Sequence, residues 1–140
     1  MAATFQLRLV TPTGVVFEGE VEEVSATGPL GEFGVLAEHI NFITSLVPGI
    51  LKARQPDGVA MYWVVSGGLA EVKDGVMTML ASSAESPDSL DANAAAAQVK
   101  DADENFSTLS FFDPNYAPAQ EALLLARARV QAAALKTTAR

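Results

Sequence analysis

The chain has 140 residues, 49% of them hydrophobic, which suits one domain with a small appendage and a buried core. It contains no cysteine, which excludes disulfides and thiolate chemistry, and its formal net charge of −8 argues against a nucleic-acid binder. No apolar run approaches the roughly 18–20 residues of a membrane span, and no signal peptide precedes the first strand-like segment, so we expect an intracellular protein.

Residues 1–84 have the pattern of short strands separated by turns. Residues 5–10 alternate between apolar and polar side chains, as a half-buried strand does, and a turn follows at Pro12. Segments 50–54 and 61–65 flank Pro56-Asp57-Gly58 and predict a hairpin. Further along, Asp74-Gly75 is typical of a tight hairpin turn. Many short strands with frequent turns predict an antiparallel β-sandwich, or a barrel, over residues 1–84.

The pattern changes to that of a helix at about residue 85. Apolar residues then recur every three or four positions and place one stripe on a helix: Ala92, Ala95, Val99, Ala102, Phe106 and Leu109. We expect Asp88 or Ser89 to cap the start of this helix, and Pro114 to follow its end.

A second helix is predicted from about Tyr116. We expect its apolar face to contain Leu123, Leu124, Val130, Ala134 and Leu135, with Arg129, Lys136 and Arg140 on the opposite side. The two helices predict an antiparallel hairpin over residues 85–140. The first helix offers mostly alanine, so we expect the hairpin to be held weakly and to be able to exchange one docking surface for another.

The sequence contains no arrangement of residues typical of an active site. The glycine-rich segment 28–34 lacks the lysine and hydroxyl residue of a phosphate-binding loop. His39, beside Glu38, is the only histidine, which falls far short of a metal-ligand set or a catalytic triad. We therefore expect no catalytic residue and no metal site, and a binding or mechanical role.

Three stretches resemble the ATP synthase epsilon-subunit family, the equivalent of the mitochondrial delta subunit. The first runs through residues 27–39 (TGPLGEFGVLAEH) and continues to the LVPGIL segment at 46–51. The second is SGGLAEV at 66–72, and the third is Leu90-Asp91 at the start of the first helix. The resemblance covers nearly the whole chain in order. It implies a ten-stranded β-sandwich followed by a two-helix domain.

The resemblance also implies a noncatalytic central-stalk subunit of a rotary proton-translocating ATP synthase. Its expected partners are the gamma subunit and the polar loops of the membrane c-ring, with no nucleic acid and no direct membrane insertion. The loop Gly31-Glu32-Phe33, with His39 nearby, is the expected contact for the ring or gamma. Without the resemblance, Glu32 would be interpreted as an ordinary solvated carboxylate. The expected location is the cytoplasmic face of the bacterial inner membrane, with an organellar inner membrane as the alternative.

In this family the hairpin folds against the sandwich or extends into the alpha/beta catalytic head, where it obstructs hydrolysis. By resemblance, Arg129, Lys136 and Arg140 would contact acidic segments of the head. The alternative for these bases is solvation and compensation of the helix dipole. Arg127 lies closer to the apolar face, and we expect it to snorkel or to pair with a carboxylate of the first helix such as Asp101.

Two departures from the family pattern bear on ligands and contacts. Some members bind ATP through a Leu/Ile-Asp-x-x-Arg-Ala motif, but here Leu90 and Asp91 are followed by Ala94 at the arginine position. Loss of that guanidinium predicts weak or absent ATP binding, so no cofactor is expected. Segment 37–41 (AEHIN) stands where Pro-Gly-His-Ala-Pro is common, which predicts a differently shaped loop.

Another function class remains compatible with the residues. A freestanding β-sandwich that binds other proteins, with a dimerising helical hairpin, would show the same composition and periodicity. Association with gamma separates it from the stalk subunit.

Overall fold

The computed structural model describes residues 3–135, so Lys136 and Arg140 lie outside the described residues. Ten strands form two five-stranded sheets, and a short 3-10 helix and two α-helices follow. The strands are β1 (Phe5–Thr11), β2 (Gly14–Val21), β3 (Glu23–Gly28), β4 (Gly31–Leu36), β5 (Phe42–Leu46), β6 (Gly49–Arg54), β7 (Ala60–Val65), β8 (Gly68–Lys73), β9 (Val76–Ala81) and β10 (Ala84–Glu85). The α-helices are α1 (Ala92–Ser107) and α2 (Tyr116–Ala133).

The two sheets form the predicted sandwich. The first sheet has the strand order β2-β1-β9-β8-β5, and the second has the order β10-β7-β6-β3-β4. Every neighbouring pair is antiparallel except β1 and β9, which run parallel. The parallel pair arises because β1 lies between its hairpin partner β2 and the distant strand β9. The first sheet therefore contains one parallel pair among antiparallel ones, and the predicted β-sandwich fold is confirmed.

The core lies between the two sheets and consists of the side chains that the strands point inward. In β1 the alternation is complete, since Phe5, Leu7 and Leu9 are buried while the residues between them are partly exposed. Met77 and Met79 of β9 are fully buried beside them. Such alternation is expected for strands that bury one face against a second sheet.

Turn geometry agrees with the predicted hairpins and corrects one predicted loop. Asp74 and Gly75 both have positive φ angles, 53° and 81°, as a tight two-residue turn between antiparallel strands requires. The segment Gly31-Glu32-Phe33 was expected to be a loop and is instead the start of β4. Gly28 pairs directly with Gly31, so the connection between β3 and β4 is only two residues long.

The N-cap of α1 is neither Asp88 nor Ser89, the two residues expected to cap it. Asp91 is the N-cap of α1, and its carboxylate accepts a hydrogen bond of 3.0 Å from the amide of Ala94. Asp88 and Ser89 lie in the 3-10 helix that precedes it, where Ser86 is the cap. This three-residue helix takes the place of the expected first turn and shifts the start of α1 along the chain.

The predicted apolar face of α2 is only partly correct, because the helix is covered on two sides. Leu123 is buried as expected, together with Ala119 and Ala126 on the same side. Ala128 and Ala132 are buried on the opposite side, against Val64 of β7. The helix therefore lies between α1 and the second sheet.

Two residues of that predicted face remain accessible. Val130 is 39% exposed and Ala134 is also exposed. This part of α2 faces the alanine-rich first half of α1, as the hydrogen bond between Arg129 and Gln98 shows. Alanine side chains are too short to cover Val130. Within residues 3–135, neither helix is long and apolar enough to cross a membrane.

Candidate functional site

The end of the β3–β4 hairpin presents an exposed apolar surface. Leu30, at the tip, is fully exposed, and Ile43 of β5 is 61% exposed. They line a shallow groove of about 340 Å³ that also includes Phe33 and Phe42. Sequence reasoning selected Gly31, Glu32 and Phe33 here but missed Leu30 and Ile43. The signal for Leu30 was its position between the turn residue Pro29 and Gly31, where a leucine has nothing to pack against.

The structure brings Phe33 and His39 together through a third ring. Phe42 lies between them, with its ring centroid 5.8 Å from that of Phe33 and 4.9 Å from that of His39. Nδ1 of His39 lies 2.8 Å from the carbonyl oxygen of Ile40. His39 is thus an aromatic packing residue at the β4–β5 connection, as expected for a structural histidine.

Glu32 borders the groove of Leu30 and Ile43, but its side chain lies on the opposite face of β4 from that of Phe33, because neighbouring residues of a strand point to opposite faces. It also lines a second groove with Lys52 and Arg54 on the outer face of the second sheet. Arg54 has a raised pKa, first because of its hydrogen bond with Glu23 and further because of Glu22. The predicted contact residues around β4 therefore belong to two surfaces.

The outer face of the first sheet carries a row of apolar side chains. Val15, Val10, Leu80 and Leu69 are direct neighbours across β2, β1, β9 and β8. Val15 is 54% exposed, Leu80 is 50% exposed and Leu69 is 39% exposed. Sequence reasoning missed this row, although segment 76–80 (VMTML) is apolar at positions on both faces of its strand. Such a run is typical of a sheet with both faces covered.

The hairpin meets the sandwich through a guanidinium group that was expected to face a partner. Arg129 donates from Nε to Oε1 of Glu85 at 2.8 Å and from Nη2 to Oε2 at 2.9 Å. A third bond of 3.2 Å runs from Nη1 to Oε1 of Gln98 in α1. The side chain of Arg129 is only 25% exposed, and its pKa is raised, chiefly by the hydrogen bond with Glu85. The face of α2 that is turned away from α1 contacts the sandwich here. The side chain of Arg129 therefore reaches Glu85 of β10.

The ion pair that the sequence did predict within the hairpin is weaker than the Arg129–Glu85 pair. Arg127 pairs with a carboxylate of α1 as expected, but with Asp103 rather than Asp101, at 3.9 Å. Both side chains are about 60% exposed, at 59% and 60%, so water screens this pair strongly.

The three positions of the altered ATP motif lie around one cavity. Leu90, Asp91 and Ala94 line a space of about 310 Å³ together with Glu85 and Arg129. Among the described lining residues only Arg129 is cationic, and it is bonded to Glu85 through two nitrogens. The two carboxylates of the lining, from Glu85 and Asp91, therefore lie beside one guanidinium that is bonded within the chain.

No group of three or more potential metal ligands occurs among residues 3–135.

Comparisons with known proteins agree with the fold. The sequence model of the ATP synthase, Delta/Epsilon chain, beta-sandwich domain matches residues 4–87. An ATP synthase epsilon chain of Geobacter sp. (strain M21) is 39% identical over 137 residues, covering 98% of this chain and 99% of the relative. One from Bradyrhizobium sp. (strain BTAi1 / ATCC BAA-1182) is 43% identical over 97 residues, covering 69% of this chain and 71% of the relative.

Solved structures of ATP synthases contain similar chains. A chain in the Euglena gracilis mitochondrial ATP synthase (OSCP/F1/c-ring, rotational state 1) has a TM-score of 0.79 and 27% identity, over 96% of this chain and 83% of that chain. A chain of the Tetrahymena thermophila mitochondrial ATP synthase central stalk and c-ring has a TM-score of 0.61 at 14% identity, over 94% and 97% of the two chains, which supports the fold alone. The sandwich and the helical hairpin, with the matches to both, show that this chain belongs to the ATP synthase delta/epsilon family, as a noncatalytic subunit.

Proposed function

We propose that the chain is a rotor subunit of the central stalk that joins gamma to the c-ring of a proton-translocating ATP synthase. The observation that carries this function is the apolar row on the first sheet, because it would face water in a freestanding sandwich. The c-ring in the similar Euglena assembly supports a partner at the membrane. The location that follows is peripheral, on the cytoplasmic face of the bacterial inner membrane or its organellar equivalent.

The apolar row is the surface that we assign to gamma. Val15, Leu80 and Leu69 lie in one line across the sheet, so an apolar segment of a partner could cover all three at once. Burial of a large apolar side chain contributes roughly 1.5–3 kcal/mol. We expect the chain and gamma to elute from gel filtration as a 1:1 complex and Leu80→Asp to abolish it. Val130→Asp, at an accessible valine of α2, is the matched control. An intact Leu80→Asp complex would remove this surface from the proposal.

The end of the β3–β4 hairpin is the surface that we assign to the c-ring loops. Leu30 and Ile43 provide apolar contacts, and Glu32 provides a charge on the neighbouring face. Since the chain has no cysteine, Leu30→Cys gives a single cross-linking position. We expect it to cross-link to cysteines placed in the c-ring loops. Leu36→Cys, at the far end of β4, should not. Equal cross-linking from both positions would contradict the assignment.

The hairpin is proposed to restrain ATP hydrolysis when it leaves the sandwich and extends to the catalytic head. The small apolar cluster that holds it, centred on Val64, supports a detachable element. A holoenzyme that lacks residues 92–140 keeps β10 intact and should hydrolyse ATP faster than the complete enzyme. Unchanged hydrolysis under all conditions would remove the inhibitory role and leave the stalk function in place.

A further inference from the structure

We propose that Glu85, Gln98 and Arg129 form an internal latch that holds the helical hairpin on the sandwich without a bound nucleotide. Each residue belongs to a different part of the junction: Glu85 to β10, Gln98 to α1 and Arg129 to α2. All three nitrogens of the guanidinium donate to these two partners. One side chain therefore ties both helices to the last strand of the sandwich.

The geometry makes this pair stronger than an ordinary surface ion pair. Two parallel N–H···O bonds of 2.8 and 2.9 Å join the guanidinium to the carboxylate, and such paired bonds fix orientation as well as distance. The side chains are 25% and 29% exposed, so water screens the charges only partly. The guanidinium and carboxylate planes must be aligned for both bonds to form. Undocking of α2 would break this alignment.

The latch lies beside an apolar contact between α2 and the second sheet. Glu85 pairs directly with Val64 in the β10–β7 ladder, so their side chains lie on the same face of the second sheet. Val64 is fully buried under Ala128 and Ala132 of α2. This cluster is separate from the main core, and its helix side chains are mostly small. The larger members of this contact besides Val64, namely Ile50, Leu90 and Leu125, are only partly buried, so the ion pair should supply a substantial share of the docking free energy.

The latch also occupies the place where a nucleotide would otherwise hold the hairpin. Arg129 lines the same cavity as Leu90, Asp91 and Ala94, and each of its three guanidinium nitrogens donates a hydrogen bond within the chain. A carboxylate of the chain thus takes the position of an external anion. Hairpin docking should accordingly respond to salt and to changes at Glu85, and should be insensitive to added ATP.

A double-mutant cycle on the full chain tests the latch by hydrogen exchange of the helix amides. We expect Glu85→Gln and Arg129→Gln each to speed exchange in α1 and α2 roughly tenfold, equivalent to about 1.4 kcal/mol. The double variant should be no faster than Arg129→Gln alone, since that change already removes the bonds to both Glu85 and Gln98. Exchange in β1 and β9 should not change. The charge-swapped chain, Glu85→Arg with Arg129→Glu, should recover much of the native protection.

The Arg127–Asp103 pair provides a matched control on the same hairpin. Arg127→Gln and Asp103→Asn remove the same two chemical groups from an exposed pair with a 3.9 Å separation, and should leave exchange unchanged. Native exchange rates in Glu85→Gln, additive effects of the two latch changes, or an equal effect of the control pair would each overturn the latch. Slower helix exchange on addition of ATP would also overturn it. The cycle uses the isolated chain, so its outcome does not depend on stalk assembly.

Discussion

Overfilling the contact between α2 and the second sheet should release the hairpin while the sandwich stays folded. Ala132 is fully buried against Val64, which is itself fully buried. Leucine at position 132 would force an isobutyl group into this contact, and such overpacking costs about 1–3 kcal/mol. Val64 contributes roughly 1.5–3 kcal/mol to this contact and each alanine methyl about 0.8 kcal/mol, and the partly buried Ile50, Leu90 and Leu125 add to it, so leucine would offset part of the docking free energy.

The expected result of Ala132→Leu is a roughly 5- to 150-fold increase in the undocked fraction. Hydrogen exchange measures this fraction in α1 and α2, and the fluorescence of Trp63 in urea measures the sandwich. Trp63 is the only tryptophan and packs against Phe17 within the main core, with ring centroids 5.7 Å apart. We expect faster helix exchange with an unchanged urea midpoint for Trp63.

The control for this prediction is Ala122→Leu, at an exposed position of the same helix. It makes the same chemical change, and leucine and alanine are both good helix formers, so helix exchange should remain close to native. Native exchange in Ala132→Leu would refute the docking contact. A fall in the Trp63 midpoint together with faster helix exchange would show instead that sandwich and hairpin unfold as one unit.

Three further changes have defined outcomes. Gly68→Ala should destabilise the sandwich by about 3 kcal/mol, measured by the urea midpoint, because a Cβ there meets the carbonyl of Leu80 at a φ of +141°. Gly14→Ala, at +134° with open space around it, should cost less. Asp91→Ala should destabilise α1 by about 1 kcal/mol through loss of its cap, visible as faster exchange in its first turn, while Asp91→Asn should restore it. Isothermal titration of the full chain with ATP should show no micromolar binding, and saturable heat would contradict it.

The β-sandwich was predictable because its turns carry local signals. Asp74-Gly75 specifies a two-residue turn by its positive φ angles, and the alternation from Phe5 to Leu9 specifies which face of β1 is buried. The two-residue strand β10 was not predicted, since two residues are too few to show a period. It spans the expected division between residues 84 and 85, and the family match continues to residue 87.

The interaction surfaces were less predictable, because they depend on contacts between distant segments. Periodicity gave one apolar face of α2, but the burial of Ala132 is decided by Val64, far away in the sequence. Periodicity placed Arg129 away from the predicted apolar face of α2, yet only the fold shows that Glu85 lies beside it. In the same way, the exposure of Leu80 follows from strand order rather than from its own segment.

The central claim, that the outer face of the first sheet is an interface within an assembled ATP synthase, can be tested by cysteine labelling. Leu80→Cys should react readily with a maleimide in the free chain and slowly in the assembled enzyme. Asp57→Cys, at the exposed β6–β7 turn, is the control for general access. The stalk function predicts protection of position 80 upon assembly, whereas equal labelling of Leu80→Cys in the free and assembled states would contradict it.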